Sequence, residues 1–218
     1  CGLATLVVRH AGIGDLVQYT MPQPPLYGSY QEFAIVLGAV IAIGVVLFDK
    51  TQSLLPKFDR KSPKMIVIAL LSFAVIGVMA MYFPEILGNG KAGNQLTFTD
   101  LVGWDYALGL LATKWIAVLL ALMAGAYGGR ITPSMMLGST LALAFAALWS
   151  IMVSPVHLGF AAFIGAVIFL GLAQKMPLTS CVFMLELSRF SVEMCFPMAL
   201  AMGSALITQQ IVKARFQL

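Results

Sequence analysis

The sequence predicts an all-α, polytopic integral membrane protein with tilted and broken helices. Of its 218 residues, 60% are hydrophobic and only 10% are charged, whereas a soluble domain normally carries about a quarter charged residues. Long stretches without a charge recur along the chain, and glycine and proline interrupt them. Because about 20 apolar residues span the hydrocarbon of a bilayer, we expect roughly six to nine helical segments. They would form a single transmembrane region over residues 1–218, in contact with the lipid bilayer.

The charge-free stretches place these segments in chain order. The opening segment is the weakest, because Arg9, His10 and Asp15 lie inside it. The stretch 131–174 is too long for one span, and Pro155 divides it. The predicted segments are 1–20, 33–48, 65–84, 106–127, 131–174, 176–185 and 194–212.

Several segments are short or contain glycine or proline, which leaves two interpretations open. Broken helices at membrane depth are tolerated where the backbone is buried in protein or lines a cavity, and in transporters they mark the substrate site. Alternatively, the short segments are tilted or interfacial helices. Lys114 interrupts the stretch 106–127. We expect its amine to extend to the membrane surface, the alternative being a role in a pore.

Lysine and arginine predict the orientation, because cytoplasmic loops carry an excess of these residues. We therefore expect the linker 49–64 and the C-terminus to be cytoplasmic and the loop 83–100 to lie on the other side. The membrane is expected to be the plasma (inner) membrane. The basic residues are Lys50, Lys57, Arg60, Lys61 and Lys64 in the linker, Lys213 and Arg215 at the C-terminus, and Lys91 in the loop 83–100.

Composition and motifs exclude several classes of function. The net charge of +4 is small, and no basic cluster is interleaved with aromatic residues as in single-strand binders, so we expect no nucleic-acid partner. The three cysteines have no metal-ligand spacing. No Ser-His-Asp, H-E-x-x-H or phosphate-binding glycine-loop pattern occurs. The sequence thus predicts neither an enzyme with catalytic residues nor a site for a metal or cofactor.

The densest local signal is the segment 125–133, where glycines precede Pro133 and a long helical stretch. Proline suits the first turn of a helix, and glycine permits unusual backbone angles and close approach. A helix N-terminus presents unpaired N–H groups and a partial positive charge, both of which favour an anion. Such a site holds an ion weakly enough to release it, as conduction requires. The alternative is a structural break with tight glycine packing.

Three motifs, at 83–90, 128–138 and 176–188, carry a resemblance to a known family. They read F-P-E-I-L-G-N-G, then G-G-R-I-T-P followed by M-M-L-G, and M-P-L-T continuing to M-L-E-L-S. In the same order, they are similar to the P-x-x-x-G-x-G loop, the G-G-x-F-x-P stretch and the A-P-L-T…L-E-M-T helix of the ClC family of chloride channels and proton-coupled chloride transporters. The resemblance covers residues 33–212 and is strongest from Gly125 onward.

The resemblance implies the C-terminal half of a ClC-type transmembrane domain. Members are homodimers with a separate pore in each subunit. The implied function is ion transport across the cell membrane, of chloride or another small inorganic anion, by a voltage-gated channel or a proton-coupled exchanger. In the family, backbone N–H groups at the start of the G-G-x-F-x-P helix contact the anion. Carried over by position, the anion-binding segment comprises Gly128, Gly129, Arg130 and Ile131, with the contacting amides on Arg130 and Ile131.

The family's remaining functional motifs lie in its N-terminal half. These are a Ser-containing loop, a gating Glu and, in transporters, an internal proton-relay Glu; neither of the first two motifs occurs here. That half therefore decides between channel and exchanger. The chain starts at Cys1 instead of Met, so we expect a fragment or processed form. No cytoplasmic domain is expected after Leu218.

Two residues depart from the family's pattern. Arg130 stands where the family usually has an apolar residue, and an intramembrane arginine is a functional hypothesis by default. It would concentrate anions, pair with an acid, or extend away from the path. The family's pore-lining Tyr has no clear equivalent; Phe216 is the nearest aromatic residue and the candidate inner gate, but it has no hydroxyl. These departures keep open a non-transporting structural or regulatory subunit, with an unrelated cation transporter as a third possibility.

Overall fold

The computed structural model confirms the all-α class over the part of the chain that it describes. The described residues are 19, 30–56, 58, 62–99, 102–126, 128–188 and 194–216, and they contain no strand. The eight described α-helices are α1 (Tyr30–Ser53), α2 (Lys64–Tyr82), α3 (Lys91–Phe98), α4 (Trp104–Met123), α5 (Ile131–Met152), α6 (Leu158–Ala173), α7 (Pro177–Ser188) and α8 (Cys195–Phe216), with a 3-10 turn at Pro84–Ile86.

Most of the helices follow the predicted segments. Those predicted at 33–48, 65–84, 106–127, 176–185 and 194–212 correspond to α1, α2, α4, α7 and α8. The long stretch divides as predicted: α5 ends at Met152 and α6 begins at Leu158, on either side of Pro155. The predicted segment 1–20 lies outside the described residues, except for Tyr19.

The prediction of a plain loop over 83–100 was wrong, because α3 lies within it. Its sequence, K-A-G-N-Q-L-T-F, is too polar to be recognised by hydropathy. The chain enters α3 through Gly90 with a φ of 88°, an angle that suits glycine. Asn94, Thr97 and Phe98 are fully buried. Packing against the rest of the protein therefore stabilises this short helix.

The central helix of the fold is α6. Every residue from Gly159 to Leu172 is buried, and α1, α3, α5 and α7 pack around it. A helix that is apolar on every side belongs in an interior. With 16 residues, α6 is about 24 Å long, which is shorter than the hydrocarbon core of roughly 30 Å. Protein therefore surrounds α6 over its whole length.

Two pairs of helices approach each other closely at glycine. Gly138 on α5 faces Gly165 on α6, and a Cβ at either residue would overlap the other's carbonyl oxygen. A Cβ on Gly38 of α1 would overlap the backbone of Ala201 on α8. Small residues permit such backbone contact between membrane helices. These positions therefore fix how α5 sits on α6 and how α1 sits on α8.

The outer helices expose a large apolar surface. Of the residues of α2, only Ser72 is buried, and Leu70 and Met81 are 68% and 81% exposed. In the described chain, α1, α2, α4, α5 and α8 are long and apolar enough to cross a membrane. Apolar surface of this extent belongs in lipid or against another protein segment. The chain is thus an integral membrane protein.

Candidate anion site

A cavity of about 650 Å³ lies beside the start of α5. Its walls come from the C-terminal part of α1, from α2 and α4, from the turn after α2 and from the segment before α5. Gly128, Gly129 and Arg130 line the cavity, together with Pro133 of the first turn of α5. Ile131 is not among the described lining residues. The structure thus brings the predicted residues 128–130 to one cavity and leaves Ile131 beside it.

The chain reaches this cavity through a tight turn at the end of α4. The helix ends at Met123, and Gly125 follows with a φ of 74°. The amides of Gly125 and Ala126 donate to the carbonyls of Leu122 and Ala121. This is a Schellman motif, in which glycine takes the left-handed position at no steric cost. The turn ends α4 directly before the segment that lines the cavity.

The glycines before α5 leave space at the cavity. Among the described residues, no atom beyond the chain neighbours lies within 4 Å of the position where a Cβ of Gly128 or Gly129 would stand. Tight packing, the alternative explanation of this break, therefore does not account for these two glycines in the described structure. Helix α5 begins at Ile131 with Pro133 in its first turn, as predicted.

The first amides of α5 are free to bind a ligand. The Ser134 amide donates to the Arg130 carbonyl at 3.1 Å. Within the described chain, the amides of Ile131 and Thr132 have no hydrogen-bond acceptor, and no side chain caps the helix. Pro133 has no N–H. Unpaired amides at a helix N-terminus attract an anion, so this end of α5 has the chemistry of an anion site.

Two side chains hold the first turn of α5 in place. Asn94 of α3 donates through Nδ2 to the Thr132 carbonyl at 3.3 Å, and its Oδ1 accepts from Ser139 Oγ at 3.1 Å. Gln174, which follows α6, donates through Nε2 to Ser134 Oγ at 3.3 Å. Sequence reasoning missed both side chains, because no local pattern marks residues whose partners lie so far away along the chain.

Replacing Asn94 with leucine is expected to destabilise the protein. The change leaves the partly buried Thr132 carbonyl without this donor and the buried Ser139 hydroxyl without this acceptor, at a cost of about 1–3 kcal/mol. The midpoint of thermal unfolding of the detergent-purified full-length protein should therefore fall. As a control, Ser188→Ala removes a hydroxyl whose one partner among the described residues is the Met184 carbonyl in its own helix, and the midpoint should stay close to that of the wild type. Equal midpoints for the two variants would contradict the role assigned to Asn94.

Lys114 does not extend to the membrane surface, so the expectation from the sequence was wrong. The residue is 3% exposed, and its ammonium group donates to the carbonyls of Ile86 and Gly88 at 2.7 and 3.4 Å. Both carbonyls belong to the turn between α2 and α3, and all three residues line the cavity. The buried amine thus ties this turn to α4 and places a positive charge in the cavity wall.

Arg130 lines the same cavity as an acidic residue, Asp49 of α1. Arg130 is close enough to act electrostatically on the Asp49 carboxylate, as are Lys213 and Lys175. Nζ of Lys213 lies 4.0 Å from Oδ2 of Asp49. This placement is compatible with two of the roles considered for Arg130, which are concentrating anions and pairing with an acid. It does not support the third role, extension of the side chain away from the cavity.

The remaining predicted site residue is Phe216. It is the last residue of α8, but its side chain lies outside the described structure, and the inner-gate role stays a prediction. Among the described residues, no group of three or more His, Cys, Asp or Glu side chains is arranged to hold a metal ion.

Known proteins of one family are similar to this chain. The family model described as voltage gated chloride channel matches residues 1–210. The H(+)/Cl(-) exchange transporter ClcA of Vibrio vulnificus (strain YJ016) is 25% identical over 224 residues, which cover 96% of this chain and 46% of that protein. The transporter of the same name from Vibrio parahaemolyticus is 24% identical over 225 residues, with the same coverage. The chain thus spans about half the length of the curated relatives that it matches.

Proposed function

The chain belongs to the voltage-gated chloride channel family, and from this premise we propose that the protein transports chloride or another small inorganic anion across a membrane. One observation carries the proposal: the amides of Ile131 and Thr132, which have no acceptor among the described residues, lie at the N-terminus of α5, beside a cavity of about 650 Å³. In this interpretation, the segment Gly128–Ile131 binds the anion through backbone dipoles, which allow an ion to leave again.

The charges around the cavity favour an anion over a cation. Lys114 and Arg130 line it, and Asp49 is the one acidic residue among its described lining residues. A cation pathway would be expected to present acidic groups to the ion. The described lining therefore carries one more positive than negative charge.

For the assembly, we propose that this chain forms the C-terminal half of a ClC-type transmembrane domain in a homodimer. The lysine and arginine content of the linker 49–64 and of the C-terminus supports a cytoplasmic location for both, and the plasma membrane is the proposed location. The related proteins are named as transporters and channels, which supports transport and not catalysis. The names of the Vibrio relatives favour proton-coupled exchange over a channel.

The proposal is tested by reconstituting the full-length protein in liposomes loaded with chloride. We expect chloride efflux into external gluconate once a potassium ionophore lets potassium leave to balance the charge, and no potassium efflux from liposomes without the ionophore. Proton movement against its own gradient, driven by chloride, would identify an exchanger, and efflux without it would identify a channel. The absence of anion flux under every gradient would overturn the proposal in favour of a non-transporting membrane subunit.

A further inference from the structure

Four charged residues from separate parts of the chain meet at one edge of the cavity. Asp49 lies near the end of α1, and Lys213 lies near the end of α8 with its Nζ 4.0 Å from the Asp49 carboxylate. Lys175 and Arg130 also act electrostatically on this carboxylate. Asp49 and Arg130 line the cavity directly, and Gln174, the neighbour of Lys175, lines it as well. The cluster therefore borders the cavity, and two of its four residues belong to the lining.

The backbone at Lys175 has an unusual conformation. Its φ is 57°, and among the described residues it is the one non-glycine residue with a positive φ. The amide of Lys175 donates to the Leu172 carbonyl, and the Met176 amide donates to the Gly171 carbonyl. Helix α6 thus ends in a Schellman motif with Lys175 in the left-handed position. Glycine is the usual residue there, because a side chain is strained in this conformation.

At the end of another helix of this chain, a glycine occupies the same left-handed position. Helix α4 ends in a Schellman motif with the same pair of hydrogen bonds, and Gly125 holds its left-handed position with a φ of 74°. The geometry of the turn therefore does not require lysine at the end of α6. A strained residue that the fold does not need is a reason to look for a function of its side chain. The positive charge of Lys175 is the candidate, because it acts electrostatically on the Asp49 carboxylate.

The charges of the cluster do not cancel. Arg130, Lys175 and Lys213 contribute three positive charges, and Asp49 contributes one negative charge. The Asp49 and Lys213 side chains are 46% and 36% exposed, so they are accessible to ions from the solvent. A small anion and the Asp49 carboxylate would compete for the same cations.

We propose that Arg130, Lys175 and Lys213 form a cationic mouth that binds small inorganic anions at the edge of the cavity, and that Asp49 limits its affinity by occupying the same cations. This inference rests on the proposed function, since it supplies the cavity with the anion that the start of α5 would then bind. The mouth is distinct from the segment Gly128–Ile131 because it uses side-chain charges instead of backbone amides. Arg130 belongs to both.

The test measures chloride binding separately from transport. Full-length protein in detergent is titrated with chloride against gluconate at constant ionic strength, and the chloride-dependent rise of the unfolding midpoint gives the apparent affinity. We expect Asp49→Asn to bind chloride about two- to fivefold more tightly than the wild type. Lys175→Gly should bind it about two- to fivefold more weakly. This range corresponds to the free energy of an interaction between partly exposed charges. In gluconate, Lys175→Gly should unfold at the same temperature as the wild type or higher, since glycine relieves the strain.

The exposed Lys64, at the start of α2, supplies the matched control, and Lys64→Gln should bind chloride as the wild type does. If Asp49→Asn and Lys175→Gly bind chloride like Lys64→Gln, the cationic mouth is wrong, whatever the flux assay shows. If the variants shift the affinity as expected but the protein passes no anion in liposomes, the mouth stands and the proposed transport function fails. A lower unfolding midpoint of Lys175→Gly in gluconate would mean that lysine serves the fold, and would also overturn the inference.

Discussion

Replacing Gly138 with alanine is expected to destabilise the protein strongly, because α5 and α6 touch through their backbones at this residue. The new Cβ would overlap the Gly165 carbonyl oxygen and the Cβ of Phe169. Overpacking a close-packed interior costs about 1–3 kcal/mol, and a clash with backbone places the cost at the upper end, since backbone cannot rotate away as a flexible side chain can. The unfolding midpoint of the detergent-purified full-length protein should fall, together with the yield of monodisperse protein.

A matched glycine in another helix provides the control. Gly77 of α2 has no atom of the described structure within 4 Å of its Cβ position, so Gly77→Ala adds the same methyl group without a clash. Alanine favours a helix by about 1 kcal/mol over glycine, and this variant should be as stable as the wild type or more stable. Similar midpoints for Gly138→Ala and Gly77→Ala would mean that α5 and α6 do not touch through their backbones.

Replacing Lys114 with methionine is expected to suppress anion flux while leaving the protein folded. Methionine fills similar space without the charge, so the carbonyls of Ile86 and Gly88 lose their donor. The variant also removes a positive charge from the cavity wall, which would otherwise stabilise an anion inside. Chloride efflux from liposomes containing full-length protein should therefore fall, by about tenfold for each 1.4 kcal/mol of anion stabilisation that is lost.

The design of this experiment separates charge from folding. Lys114→Arg retains the positive charge and should keep more flux than Lys114→Met, and Lys64→Met, at the exposed start of α2, should not change it. Size-exclusion chromatography verifies that each variant is folded. If folded Lys114→Met passes chloride at the wild-type rate, the ammonium group has no part in the ion path.

The sequence was sufficient to predict most of the helices and the position of the main break. Charge-free stretches locate spans because charged groups are costly in hydrocarbon, and a proline that cannot continue a helix separates α5 from α6. In contrast, the polar α3 was missed, since its stability comes from burial of Asn94 and Thr97 against other helices. Hydropathy also could not distinguish α6, which is buried in protein, from α2, which is largely exposed, because lipid and protein interiors are equally apolar.

The candidate site was predicted in part. The motif before α5 identified Gly128–Arg130 at the cavity, because a glycine-rich break before a proline has a local signature. The environment of Lys114 was not predictable, since a lone lysine in a span normally reaches the surface and its carbonyl partners depend on the geometry of a distant turn. The proximity of Arg130 to Asp49 was also not predictable from the sequence, because it arises only when α1 packs beside the start of α5.

The contact between α1 and α8 makes the order of synthesis matter. It is among the most extensive in the fold, and it joins the first described helix to the last through the close approach of Gly38 and Ala201. A ribosome makes α1 long before α8, so α1 must remain in the membrane without its partner while the intervening helices are inserted. A chain released before α8 emerges would keep this surface uncovered, and membrane quality control could distinguish it from a finished protein by that surface alone.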